Sequence, residues 1–481
     1  MATKLINVVV VGGGIAGLTA AAELAALQNV NVTLVEAADY LGGRVKQVKP
    51  FKGCNWMDLG GEFIHGEKTS IMKNATELGW EYEDLGLHEN SPSQCYVFCK
   101  DSLVTLDKSN SMAMEARYHM EMFEEKGRKI RKSFSQVMLK CEPLFTKISP
   151  RSDEESQEQT ASKLESVRQK DVSLEDYLGQ LRNLSEECKS LIDVLYCQTE
   201  GNDLSRIGML EFSRMSETWP YGSKNFRLKQ SYKVLLDHMI SKCSSVNIKL
   251  NWQVKEVNWE EAKQRVISKS NDILLCDYVI IAVPLTVLKD GDIRFRPGFS
   301  NSKLQALENM EMRNGCKMFC SFSQRFLLSE NADVYYTSYG PFKQIWNESS
   351  YKVDGQQIHV LCGFSTGSAA DDAANCDSEL LKDQFLVELD TLFRTPERQN
   401  PATESFVDYF FYDWGSNPYI RGCYSSPVLK SYGLAEKLAE PIGEKLFFAG
   451  EATNAQGASS VESAIDSGKR VAKEILQVCG W

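Results

Sequence analysis

The sequence predicts an α/β protein with a doubly wound parallel sheet, interrupted in sequence by an α+β second domain. Three observations carry this. An apolar, β-branched run at residues 5–11, "LINVVVV", breaks into glycines. An Ala- and Leu-rich stretch then leads to a second apolar run, "VNVTLVEA". Near the C-terminus "EKLFFAGEATN" repeats the passage from apolar run to glycine turn. Continuous apolar runs of this length read as strands buried on both faces of a parallel sheet, and 481 residues are too many for one hydrophobic core.

Taken in order, residues 5–40 form a strand, a glycine turn, the helix of "GGGIAGLTAAAELAAL" and a second strand, which is one βαβ unit. From about 110 to 200 the chain becomes charged and rich in Met and Leu, a pattern that suits helices. Within it "RSDEESQEQTASKLESVRQKD" (151–171) is polar enough to read as an exposed loop or solvated helix. Strand signals return in 246–284, ending in the buried run of "DYVIIAVP". Residues 300–410 mix strands and helices with many aromatics, and "GASSVESAIDSGKRVAKEIL" closes the chain with helical spacing. The expected division is a nucleotide-binding domain from 1–85, 215–295 and 412–481, with a substrate-binding domain from 86–214 and 296–411.

Composition narrows the function classes. A hydrophobic fraction of 43% is that of a globular protein, and a net charge of −11 argues against nucleic acid or anionic membrane as a partner. It is compatible with a cationic small molecule. Fourteen cysteines and five histidines show no CxxC pair and no zinc-like cluster, so reduced thiols and no metal are expected. The first apolar run is too short to span a bilayer and lacks a cleavage pattern, and the last residues, "EILQVCGW", carry no peroxisomal signal. A cytoplasmic monomer or homodimer is the expectation.

Gly12-Gly13-Gly14-Ile15-Ala16-Gly17 fits GxGxxG between a predicted strand and helix, and Glu36 ends the next strand. Gly12 permits the tight turn, Gly14 lets the backbone approach a pyrophosphate, and Gly17 allows close packing of helix and strand. The helix N-terminus attracts phosphate, and Glu36 can accept from ribose hydroxyls. The motif serves NAD and FAD alike.

"YLGGRV" follows the acid at once and sets Gly42, Gly43 and Arg44 near the pyrophosphate or the flavin edge. With "DLGGEFIHG" (58–66), "DYVIIAVPLTVL" (277–288) and "LFFAGEAT" (446–453), it makes nearly the whole chain resemble the flavin-dependent amine oxidase superfamily. The resemblance implies a Rossmann-type FAD-binding domain interleaved with an α+β substrate-binding domain. It implies an amine substrate, dioxygen as acceptor and hydrogen peroxide as product. Gly60, Gly61, Val254, Gly450, Glu451, Ser460 and Val461 are the further cofactor positions it implies.

Lys317, in "NGCKMFCSFSQRF", aligns with a lysine that these enzymes place near flavin N5 to hold a water. A lysine in an aromatic and apolar strand is costly unless it is functional or reaches solvent. His65 resembles the histidine beside the polyamine oxidase channel, with Phe63 where those enzymes have Trp. Histidine can keep an amine neutral, while Glu62 and Glu67 are placed to attract a second nitrogen. Trp414 and Tyr424 resemble the aromatic residues on the substrate side of the isoalloxazine. The second tyrosine of a monoamine oxidase cage is replaced by Ser459 or Ser460. Cys423, in "YIRGCYSS", matches the cysteine that monoamine oxidases bond to the flavin 8α-methyl group. The alternative is a free thiol against the dimethylbenzene edge of noncovalent FAD.

Polyamines or acetylpolyamines are the leading substrate class. The alternatives are an L-amino acid oxidase using Arg206, Arg214 or Arg227 for a carboxylate, a monoamine oxidase, an isomerase or desaturase, and a non-enzymatic flavin protein.

Overall fold

The computed structural model describes residues 5–85, 95–99, 102–106, 110–138, 162–260, 262–327, 333–457 and 459–481. A five-stranded parallel sheet has the order Asn247–Lys249, Val30–Val35, Ile6–Val11, Tyr278–Ile281, Leu446–Phe448. Its strands thus come from three separated stretches of the chain. Ile6–Val11 at the centre is buried at all but one residue, because helices cover one face and the antiparallel sheet containing Val254–Asn258, Gln264–Ser268 and Ile273–Cys276 covers the other. The helix Ile15–Ala25 packs against Val461–Val478, the last helix of the chain.

A second sheet supplies the facing wall. Its path runs Phe406–Asp413, Gly315–Phe322, Gln356–Thr366, Gln344–Asn347, Val334–Tyr336, Cys95–Cys99, Ser102–Thr105. Gly315–Phe322 is buried at all eight positions, so Lys317 has no solvent face to reach along the strand. Against this sheet lie the 28-residue helix Ser111–Met138 and several shorter helices. A small sheet between the two systems pairs Phe63–His65 and Tyr82–Asp84 with Asn225–Leu228.

Most of the polar stretch 151–171 lies outside the described residues. Its described end corrects the expectation of an exposed segment: residues 162–168 are helical, Leu164 and Val167 are buried, and Arg168 Nε donates to the Tyr432 carbonyl at 2.8 Å. Three inward positions at helical spacing outweigh the polar composition. Among the described residues no helix is long and apolar enough to cross a membrane.

Candidate active site

The glycine turn opens onto a cleft of about 1280 Å³. Gly12 has φ +108°, and a β-carbon there would come within 2.5 Å of the Ala282 carbonyl oxygen. A β-carbon on Gly17 would stand 2.0 Å from the Gly12 oxygen, so both positions exclude a side chain. Gly14 differs: its backbone is extended (φ −72°) and a β-carbon on it meets no atom within 4 Å, because it faces the cleft. Gly450, at φ +131°, opens onto the same space.

Glu36 closes one end of the cleft. Its carboxylate accepts from Gly13 N at 2.6 Å and Ala38 N at 2.8 Å, while burial pushes its pKa up. Trp252, Gln253 and Val254 line that end, and Gly43, Arg44 and Gly61 line the cleft with Val461. Arg44 is oriented by Glu451 (Nη1 to Oε1, 2.8 Å) and by the Cys423 carbonyl (2.9 Å). Ser460 caps the last helix by accepting from Ser463 N, so its first turn faces the cleft. A glycine-lined groove with helix N-termini on its wall and a half-buried acid at one end fits a dinucleotide.

Cys423 and Tyr424 sit on this cleft side by side. Cys423 Sγ points to the carbonyls of Arg313 (3.2 Å) and Asn314 (3.5 Å), and burial pushes the thiol up to about 12. Tyr424 donates to the Thr199 carbonyl at 2.8 Å, which fixes its ring over Gly201. Ser459 also lines the cleft, its hydroxyl donating to the Ser425 carbonyl.

Ser459 and Ser460 are shared with a second cavity of about 1000 Å³, also lined by His65, Glu124, Glu200 and Trp219. His65 stands directly across the strand pair from Asn225, and Nδ1 lies 2.7 Å from Asn225 Oδ1. The amide oxygen can only accept, so Nδ1 carries the proton and Nε2 keeps a lone pair. The side chain is open to the cavity although protein surrounds it, and desolvation holds its pKa below 6.5. Glu200 is pushed up to about 7 by burial and by the charge of Glu124. Glu124 is also raised by burial, although Ser216 donates to it at 2.8 Å.

Five expected site residues need correction. Glu62 is not on the cavity: it accepts from Lys317 Nζ (2.7 Å), Arg227 Nη1 (3.2 Å) and Trp346 Nε1 (2.9 Å), so it is spent on buried partners. Lys317 donates to the carbonyls of Asp58 (2.8 Å) and Gly60 (3.2 Å) as well as to Glu62. Three acceptors use all three ammonium hydrogens, leaving none for a water. Trp414 lies behind the wall, its indole donating to the Leu59 carbonyl at 2.9 Å and its ring packed on Gly60. Phe63 packs edge-on against Trp346 at 5.0 Å. Glu67, the other expected channel acid, instead accepts from Ser223 N and Lys224 N at 3.1 and 3.2 Å.

Glu124 and Glu200 were not anticipated. Each lies in a helical region whose many acids look alike in sequence, and only the packing of the two regions brings these two to one cavity.

The family described as flavin containing amine oxidoreductase matches residues 15–476. Among curated proteins the chain is 25% identical to lysine-specific histone demethylase 2 of Homo sapiens, over 98% of this chain and 53% of that protein. It spans about half the length of that relative and of the Mus musculus demethylase 1B. It is 24% identical to amine oxidase [flavin-containing] A of Sus scrofa, over all of this chain and 86% of that one. With probable polyamine oxidase 4 of Arabidopsis thaliana it shares 25% identity, over 96% and 85% of the two chains. The fold is shared with a putrescine oxidase bound to putrescine (TM-score 0.74, 18% identity, 98% and 99% covered). It is shared too with cyclohexylamine oxidase from Brevibacterium oxydans (TM-score 0.75, 19% identity, 99% and 100% covered). With a dinucleotide cleft in place and the family matched over almost its whole length, the chain belongs to the flavin containing amine oxidoreductases, whose cofactor is FAD.

Proposed function

We propose that this chain is an FAD-dependent oxidase acting on a polyamine or acetylpolyamine, taking a hydride from a carbon next to an amine nitrogen. The products are an imine, which water hydrolyses to an aldehyde, and hydrogen peroxide. The observation that carries the reading is the acidic chamber: Glu124, Glu200 and His65 line one cavity that meets the cleft at Ser459 and Ser460. Two half-buried carboxyls there suit a substrate with a second, cationic nitrogen, because an ammonium both restores their charge and is desolvated with them. His65, neutral at pH 7 with Nε2 as acceptor, suits the nitrogen to be oxidised, which must shed its proton before a hydride leaves. When bound, FAD accepts the hydride and passes electrons to dioxygen.

In this reading Gly12, Gly14, Gly17, Gly43 and Gly450 give the cofactor's phosphates room and backbone amides, and Glu36 takes the ribose hydroxyls. Arg44, held by Glu451, supplies a fixed positive charge to the cleft. The segments 1–85, 215–295 and 412–481 make up the flavin-binding domain, a division supported by the membership of the parallel sheet. Tyr424 forms one wall for the substrate; opposite it the short Ser459 leaves space rather than a second aromatic face. That asymmetry disfavours an arylalkylamine.

An amino acid substrate is disfavoured by the arginines. Arg206 is paired with Glu311, Arg214 with Glu211, and Arg227 with Glu62 and Glu83, so each already has a carboxylate partner. Noncovalent FAD is the reading that Cys423 supports, since its protonated thiol is directed at backbone carbonyls.

Two experiments test these statements. Anaerobic mixing with spermine, acetylspermine, tyramine and an L-amino acid should bleach the flavin with the first two only; bleaching by tyramine alone refutes the polyamine reading. Acid precipitation should leave the yellow colour in the supernatant, and colour in the pellet that Cys423→Ser abolishes would establish the covalent link instead.

A further inference from the structure

We propose, resting on the polyamine reading above, that Gly201 sets the chain length of the substrate. By leaving room for the Tyr424 ring on the turn that carries Glu200, it holds the aromatic wall and the acid for the distal ammonium at one spacing. Tyr424 belongs to the cleft and Glu200 to the chamber, and the turn at residues 198–201 joins them. Gly201 has φ +78°, and a β-carbon on it would stand 2.7 Å from Tyr424 Cε2 and 3.1 Å from Cδ2. Both distances lie inside van der Waals contact, so any side chain there would push the ring edge off the turn. Two requirements meet at this residue: a left-handed backbone and a surface bare enough for the ring.

The turn is anchored from several sides, so the ring is the part that would yield. Gln198 N donates to the Asp193 carbonyl at 3.0 Å, Glu200 N to Tyr196 at 3.0 Å and Asn202 N to Cys197 at 3.1 Å. From the end of the strand Gln356–Thr366, Thr366 donates its N–H to Gln198 Oε1 (3.2 Å) and its hydroxyl to the Gln198 carbonyl (2.8 Å). The segment bearing the ring is tied to the same turn at two points. Tyr424 donates to the Thr199 carbonyl at 2.8 Å, and Asn202 Nδ2 donates to Ser426 Oγ at 2.9 Å.

Cleft and chamber meet at Ser459 and Ser460, so a diamine occupying both has its reacting carbon beside Tyr424 and its far ammonium at Glu200. A partly desolvated ammonium and carboxyl attract most strongly at hydrogen-bond distance. Each methylene more or less in the substrate therefore misplaces either the reacting carbon or the ammonium. Gly201 is a positioning residue in this scheme, acting on the substrate through Tyr424.

The test is kcat/KM of the flavin-loaded enzyme for linear α,ω-diamines from propane to octane, read as the shape of the length profile. A general loss of stability lowers every length alike and leaves that shape unchanged. The wild type should peak at one length, about tenfold above its neighbours. Gly201→Ala should move the peak to a longer diamine, because a ring pushed off the turn stands farther from Glu200. Gly201→Asn should move it equally, since asparagine tolerates a left-handed backbone but carries the same β-carbon. Glu200→Asp withdraws the carboxyl by about one carbon–carbon bond and should shift the peak to a diamine about one methylene longer. It carries the test where the variants at Gly201 do not hold flavin. A wild type that oxidises none of these diamines refutes the polyamine reading and this inference with it. A flat wild-type profile, a peak that stays in place in any variant holding flavin, or a peak moved by Gly201→Ala but restored in Gly201→Asn overturns this inference alone.

Discussion

The cleft and the chamber meet at two serines but are built in different ways. The cleft is made of backbone: Gly12, Gly14 and Gly450 open it, helix N-termini face it, and one acid, Glu36, closes it. The chamber is made of side chains, with His65, Glu124, Glu200 and Trp219 contributed by separate segments. Backbone recognition tolerates no added side-chain volume and responds little to pH. Side-chain recognition accepts many substitutions in shape but depends on protonation, since Glu200 and His65 are both shifted toward their neutral forms.

The sharpest way to break the comparison is Gly14→Val. The backbone is already extended there and the new β-carbon meets no protein atom within 4 Å, so the fold should survive while flavin binding weakens at least ~10-fold, ~1.4 kcal/mol. The check is flavin absorbance per protein beside an unchanged circular dichroism spectrum. His65→Gln comes next, with kcat/KM for a polyamine expected to fall ~100-fold. The pKa of His65 lies below 6.5, so the imidazole is neutral at pH 7 and charges only as pH falls. The acid limb of kcat/KM should therefore lie below 6.5 in the wild type and vanish in the variant.

Glu200→Gln should raise KM for spermine ~10-fold, on the order of 1–2 kcal/mol, with kcat and the KM for monoamines nearly unchanged. Equal losses on both substrate types would mean that the acid shapes the chamber without binding charge. The smallest effect is a proton count. Because Glu200 is raised from 4.5 to about 7 in the free chamber, a bound ammonium restores its charge and releases a proton at pH between those values. Calorimetry in two buffers of different ionisation enthalpy should detect that release, and its absence in Glu200→Gln assigns it. For the same reason, without ligand Glu200 lowers stability as pH rises from 4.5 to about 7, since the folded state holds the extra proton.

Legibility followed the same divide. "VVVVGGGIAG" and Glu36 could be read because a strand, a tight turn and a helix N-terminus are built from neighbours in sequence, each with its own local signature. Lys317 stood out as a charge in an apolar strand, but its partners could not be read. Glu62 is 255 residues away in sequence and reaches it only because the loop before Phe63–His65 packs on the strand Gly315–Phe322. Glu62, Trp414 and Phe63 carried motif-based expectations and proved to be wall-building residues. Whether a side chain points into a cavity or behind it depends on strand register, which a three-residue strand such as Phe63–His65 does not specify by itself.

By itself the sequence determined the α/β class, the glycine turn, the acid that ends the second strand and the family resemblance, because those depend on contiguous residues and their period. The tertiary structure alone decided which acids face the chamber, which are spent on Lys317 and Arg227, and which way Cys423 points. Those outcomes rest on desolvation and on pairing between distant segments, and neither is encoded within any one stretch of chain.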